Sequence, residues 1–457
     1  MREHRETALA IKLRDGLTVA VPPVLSAITT YVLLEQEEWF EKEINFVRRF
    51  LKPGMVGIDI GANIGVYSLP MAHLTGAGGR IFSYEPGGQA RALLEDSKEI
   101  NGLENLEIVG SAVSDGRRRG HLAFAGSSEL RALGLAGSGE SVQITSLDTE
   151  NAERHWSSVD FVKIDAEGEE ERIITGGREF FAAHSPLVMF EIKAGDKVNE
   201  RLRTVFPGIG YRLFRQLAGE PVLVPDDPSQ PLDGYELNLF AAKQDRVAAL
   251  SRSGLLVDGI SDWTSESAAA DAYENALSAF AIWRAMDRPI TTRCAALAFA
   301  MKSIRMASTG ACDAERASTW ARIAWEWGAR SESVAALRLL FQILRERPAL
   351  LKEPFWAAST RFGGNGPAVP PVDWFWIAAA EQYERSWSFS SIFGGPSQFL
   401  SWLCEQRLAD AEMLRRLILI SARMGQRPLV PERLRVAAPD HLNADIWRGG
   451  MVPGTVL

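Results

Sequence analysis

Val56-Gly57-Ile58-Asp59-Ile60-Gly61-Ala62-Asn63-Ile64-Gly65 is the stretch on which the rest of the chain turns. An apolar run closes on an aspartate, a glycine turn follows, and a helical pattern runs from Val66 to His73. A strand, a tight loop and a helix start are predicted. In an open α/β sheet, this is where the main chain can approach a nucleotide-like ligand. Gly61 and Gly65 can adopt backbone angles that a side chain forbids, and they leave space against the chain. Asp59 reads either as a fixed charge near a cofactor's cationic end or as a cap on the turn.

Working outward, strand and helix signals alternate. The N-terminal residues 6–34 read as an extension with a strand or two, broken at Val21-Pro22-Pro23. Phe40, Ile44, Val47 and Leu51 recur at helical spacing, so one helix is expected over Glu35–Leu51. Strands are then predicted at Met55–Ile60, Arg80–Glu85, Leu106–Ser111, Val159–Asp165 and Leu187–Ile192, with helices at Gln89–Ile100 and Glu169–Ile174. His121–Ala125 and Ser141–Leu147 read as strands flanking a Gly/Ser-rich excursion. Tyr211–Arg215 and Tyr235–Ala241 read as two late strands joined by the proline-rich Pro221–Pro231. Such alternation implies a parallel sheet covered on both faces, with an antiparallel addition at one edge. The expected division is 1–245 for this α/β domain and 246–457 for a second one.

Beyond about Ala248, Ala, Leu, Trp and Arg at helical spacing replace the strand runs, as in Ala268–Ala285, Ala314–Trp327 and Ser333–Leu344. The pattern around Arg330–Pro348 is reminiscent of helix-pair repeats such as tetratricopeptide units, without a clean period. Gly363–Pro371 and Gly394–Pro396 are breaks inside the helical half. Helix pairs of that kind offer a concave face for a protein partner or for self-association.

Totals narrow the classes. At 457 residues, two or three domains are expected. The 46% hydrophobic and 24% charged content is that of a soluble globular chain. A net charge of −8 argues against nucleic acid as a partner. Three distant cysteines suit a reducing, cytoplasmic setting, and neither they nor the six histidines show a metal spacing. No apolar run follows Met1–Glu6 as in a leader peptide, and Leu417-Ile418-Leu419-Ile420 is too short to span a membrane.

Candidate chemistry gathers where the strands end. Glu85, one strand after the glycine loop, can accept hydrogen bonds from both hydroxyls of a ribose, as nicotinamide and adenosyl cofactors require. The loop lacks the full G-x-G-x-x-G and any G-x-x-x-x-G-K-[ST], which counts against a dinucleotide or a phosphate loop. Lys163-Ile-Asp-Ala-Glu-Gly-Glu169 sets Asp165 at a strand's carboxyl end and Glu167 in the loop beyond, where a carboxylate can orient or deprotonate a hydroxyl. Glu169 to Glu171 also suit a helix N-terminus. Glu191 closes the next strand on the same rim.

Taken in order, Asp59-Ile-Gly-Ala-Asn-Ile-Gly65, Tyr84-Glu85-Pro86, Ser111-Ala-Val-Ser-Asp115, Thr145-Ser-Leu-Asp148, Lys163-Ile-Asp-Ala-Glu-Gly168, Phe190-Glu191 and Asn238-Leu239-Phe240 resemble the FkbM family of S-adenosylmethionine-dependent methyltransferases over roughly residues 20–243. The resemblance implies a class I methyltransferase fold, Rossmann-like, with a seven-stranded sheet whose last strand is antiparallel. It implies S-adenosyl-L-methionine as cofactor, with Gly61, Asn63 and Gly65 beside its methionine part and Asp59 supporting them. Glu85 and Pro86 would lie at the ribose, Ala112 and Val113 at the adenine, and Asp165 near the sulfonium. The acceptor implied is a hydroxyl on a sugar, glycan or natural product, with Asp165 and then Glu191 as candidate bases. Two other readings stay open: a cofactor-binding domain fused to a partner-recruiting helical scaffold, and a nicotinamide-dependent oxidoreductase.

Overall fold

A computed structural model describes residues 8–124, 131–134, 139–194, 197–260, 271–310, 312–347, 351, 371–405, 411–426, 430, 432–435 and 442–448. Its centre is an eight-stranded sheet built from β1 (Val56–Ile60), β2 (Arg80–Tyr84), β3 (Leu106–Val109), β4 (Phe161–Ile164), β5 (Leu187–Glu191), β6 (Arg212–Gln216), β7 (Leu223–Pro225) and β8 (Asn238–Ala242). Their order across the sheet is β7-β6-β8-β5-β4-β1-β2-β3. The pairs from β5 through β4, β1 and β2 to β3 are parallel, while β8 runs antiparallel to both β5 and β6. This is the Rossmann-like sheet of class I methyltransferases with its last strand antiparallel. It holds one strand more than the seven expected, because part of the proline-rich connection pairs with β6 as an edge, where a terminal proline costs no ladder bond.

Side chains alternate across the sheet and define two cores. Leu187 and Met189 of β5 and Phe161 of β4 enter one apolar cluster, and Val188, Phe190, Val162 and Ile164 enter the other. Strands buried on both faces read as continuous apolar runs, which is why β1, β4 and β5 were legible. A separate four-stranded sheet, in the order Ser111–Val113, Glu140–Thr145, Arg118–Phe124 and Arg131–Gly134, takes up the connection between β3 and β4.

The N-terminal segment departs from expectation. After the hairpin Leu9–Lys12 and Thr18–Val21, the single helix expected over Glu35–Leu51 is two helices, Ile28–Gln36 and Glu43–Phe50. Glu37 sits in the left-handed region at φ 59° and ends the first. The 3.6-residue period thus holds for Ile44 and Val47 but not for Phe40, which lies in the intervening turn.

Helices Ala272–Arg284, Ile290–Ala307, Ala314–Trp327, Arg330–Glu346 and Pro371–Ser386 follow in the second half, each packed on the next. Residues 363–370 of the expected break, and 268–270 of the first expected helix, lie outside the described residues. The helix Ala411–Arg423 returns to pack on Ile28–Gln36. Its Leu414, Ile418 and Leu419 belong to the same apolar cluster as Phe46, Leu69 and Phe240 of the α/β half. Each such side chain, fully buried, contributes about 2 kcal/mol.

That junction also buries charge. Glu35 is inaccessible to solvent, and its carboxylate accepts hydrogen bonds from Arg416 Nε (3.2 Å) and Nη2 (3.1 Å) and from the Ser391 amide (3.2 Å). Arg416 also donates to the Glu384 carbonyl, and Arg415 Nε donates to the Glu35 carbonyl (3.1 Å). Among the described residues, no helix is long and apolar enough to cross a membrane.

Candidate active site

The carboxyl ends of β1, β2, β4 and β5 open into a cavity of about 850 Å³. Asp59, Gly61, Asn63, Glu85, Pro86, Ala112, Val113, Asp165 and Glu191 all line it. The topology therefore gathers every expected site residue except Gly65, which at φ 96° packs against Leu69 and Leu94 instead. Gly61 has a second reason to be glycine: a Cβ there would stand 1.7 Å from the Asp165 carbonyl oxygen. The loop and the end of β4 touch backbone to backbone.

Glu85 shapes the loop. Its Oε2 accepts the Asn63 amide at 2.8 Å, and its Oε1 accepts the Gly87 amide at 2.7 Å. Asn63 adopts φ 48°, a left-handed conformation that asparagine tolerates better than most residues.

Register builds the charged floor. In the parallel ladder Lys163 of β4 stands beside Asp59 of β1, so both side chains emerge on the same face. Lys163 Nζ lies 3.7 Å from Asp59 Oδ1 and 2.9 Å from Asp165 Oδ2. Burial works to lower the Lys163 ammonium, but the field of Asp165, Asp59 and Glu41 outweighs it and holds the ammonium above its ordinary range. Burial pushes the Asp59 carboxyl up, against the opposing pull of Lys163 and of the Ser68 hydroxyl, which donates at 2.6 Å.

The rim beyond is rich in carboxylates. Burial, then the charges of Asp165, Glu167 and Glu41, push Glu191 up to about 10. Glu167, at φ 49°, is pushed up to about 7 by burial and then by Asp165 and Glu170. The Glu170 carboxylate clasps the loop by accepting the Ala166 (3.2 Å) and Gly168 (3.1 Å) amides, a role beyond favouring its helix's N-terminus. No group of three or more potential ligands suited to a metal ion occurs among the described residues.

Residues 59–213 match the family model described as the methyltransferase FkbM domain. Over those residues the chain is similar to methyltransferase FkbM domains. No curated protein matches it. Among solved structures, it is similar to a methyltransferase FkbM from Methylobacillus flagellatus KT, with 14% identity over 47% of this chain and 58% of that one, and a TM-score of 0.29. This chain thus spans less than two thirds of that relative. A putative rRNA-methylase from Clostridium thermocellum shares 12% identity over 44% of this chain and 92% of its own, at a TM-score of 0.29. A SAM-dependent O-methyltransferase from Thermotoga maritima shares 17% over 52% and 77%, also at 0.29.

The cavity has a member from outside the matched span that the sequence reading missed. Glu41, in the turn between the first two helices, accepts Trp39 Nε1 (2.9 Å) at Oε1, and Tyr67 Oη (2.8 Å) and Asn238 Nδ2 (2.9 Å) at Oε2. Burial raises its carboxyl, and Lys163 partly offsets this. Asn238 reaches the site because β8 pairs with β5, setting it opposite Glu191. Its presence in the late Asn238-Leu239-Phe240 motif was the available signal; Glu41 had none, since its spacing suggested a helix.

Proposed function

We propose that this protein is an S-adenosyl-L-methionine-dependent methyltransferase that methylates a hydroxyl on a sugar, glycan or other small natural product. The observation that carries the reading is the cavity itself: a ribose-competent carboxylate, an apolar pair and an acidic rim open into one space of about 850 Å³, within the range of cofactor and ligand sites. Glu85 suits a diol. Ala112 and Val113 suit the face of a neutral adenine. Asp59 and Asp165 suit a cationic sulfur, and Asp59 Oδ1 is buried without a hydrogen-bond partner.

When bound, the cofactor would supply a methyl group activated by its attachment to a positively charged sulfur. The chain's own residues then have to bind the acceptor, aim its oxygen and exclude water. A hydroxyl also needs a place for its proton. Asp165, held by Lys163, and Glu191 are the bases suggested by sequence, and Glu167 joins them as the carboxyl pitched nearest neutrality. With Glu191 raised to about 10, its neutral form suits donating a hydrogen bond to the acceptor at pH 7. Carboxylates outnumber Lys163 and Lys193 among the lining residues. That rim would repel a phosphate backbone, which supports a small acceptor over nucleic acid.

Calorimetric titration with S-adenosylhomocysteine tests the reading. Binding to the wild-type protein is expected, with a Kd at least tenfold weaker, roughly 1.4 kcal/mol, in Glu85→Ala. Equal affinity in the variant would remove Glu85 from the ribose contact, and absence of binding to the wild type would remove the cofactor.

A further inference from the structure

We propose that the helical half supplies the acceptor end of this cavity, with Phe389 and Phe393 selecting acceptors that carry an apolar group beside the hydroxyl. The proposal rests on the methyltransferase reading above. Phe389 and Phe393 come from the far side of the chain, yet both line the same cavity as Asp165 and Glu191. Their rings meet Phe40 at centroid distances of 5.3 and 5.6 Å, and Phe40 meets Trp39 at 4.6 Å. Trp39 and Phe40 also line the cavity and directly precede Glu41. An aromatic wall thus stands beside the carboxylate rim.

The wall is held from behind. The Arg330 guanidinium lies 4.5 Å from the Phe389 ring centroid and 4.6 Å from that of Tyr235. Gln36 Nε2 donates to the Phe389 carbonyl at 2.6 Å, and the Tyr31 and Ser391 hydroxyls are 2.8 Å apart. The buried Glu35 carboxylate receives the Ser391 amide and the Ser390 hydroxyl, each at 3.2 Å. Side chains fixed this way need little reordering to bind.

Exposure gives the direction. Phe393 is 51% exposed and Val24 is 40% exposed, and both border this cavity. Large apolar groups left in water beside a cavity mark a surface that gains by being covered. The polar rim takes the hydroxyl end of an acceptor, and the aromatic wall takes its apolar part.

The matched pair phenyl β-D-glucoside and glucose tests this on the full chain in saturating S-adenosylhomocysteine. Calorimetry is expected to give phenyl glucoside at least a tenfold lower Kd than glucose. Phe389→Ala and Phe393→Ala should each erase most of that difference, and Phe393→Leu should retain part of it. The Kd for S-adenosylhomocysteine should stay within twofold in all three. Because Phe393 is half exposed, its removal empties no core. A wild-type protein that binds both probes equally, or neither, overturns the proposal, as does a preference that survives both alanine variants. Loss of S-adenosylhomocysteine binding by the wild type would strike the methyltransferase reading instead.

Discussion

The molecule buries two clusters of acidic side chains and treats them in opposite ways. At the junction of its halves, Glu35 and Glu37 meet Arg416 and Arg415 almost wholly out of water. At the cavity, Asp165, Asp59 and Glu41 act on the single Lys163 while Glu167 and Glu191 add further carboxyls to the rim, and burial and mutual repulsion lift Glu41, Glu167 and Glu191 above their ordinary range. Opposite charge makes a fastening: Arg416 donates two hydrogen bonds to Glu35, Arg415 lies 3.4 Å from Glu37, and the pairs are taken up by the fold. Under-compensated charge makes a site, because a cationic or hydroxyl-bearing ligand can relieve what the fold leaves strained.

Breaking the fastening is expected to have the largest effect. Arg416→Met leaves Glu35 buried without its guanidinium, which costs about 3–5 kcal/mol in urea denaturation. Adding Glu35→Gln should recover a substantial part. A loss below about 1 kcal/mol in the single variant would erase the distinction between the clusters.

Glu191→Gln probes the other side with the opposite sign. The folded protein holds a proton on Glu191 that the unfolded chain releases near the ordinary glutamate value of 4.5, and it keeps that proton up to about 10. Stability from this group is therefore present below about 4.5 and lost as pH rises toward about 10. Glutamine does not titrate, so the variant should be relatively more stable at pH 9 than at pH 5 when urea midpoints are compared with the wild type. A difference independent of pH would show Glu191 to be an ordinary carboxylate.

The smallest and sharpest effect is expected at Glu167. If its carboxylate takes the acceptor's proton, the rise of kcat with pH should be centred near 7 in the wild type and vanish in Glu167→Gln. An unchanged limb would return the role to Asp165.

Much of the site was legible because its residues sit at strand ends, where continuous apolar runs reveal position without any knowledge of pairing. Asp59, Glu85, Asp165 and Glu191 each follow such a run, and all four reach the cavity. Lys163 was legible as part of a motif but not as the partner of Asp59, since the contact depends on the register of β4 against β1. Glu41 was hidden by a helical period that a left-handed Glu37 interrupts. Phe389 has nothing local to tie it to the cavity; the tie is tertiary, with the carbonyl of the nearby Trp387 accepting a hydrogen bond from the Tyr235 hydroxyl.

By itself the sequence determined the doubly covered sheet, the glycine loop and the acidic strand ends, because these follow from local periodicity and from the few residues able to make such turns. Tertiary structure decided which charges are paired and which are left over, and that Phe389 and Phe393 of the helical half line the same cavity as Trp39 and Phe40. Those outcomes depend on strand register and on contacts between segments hundreds of residues apart, whose energies arise only when the chain has folded.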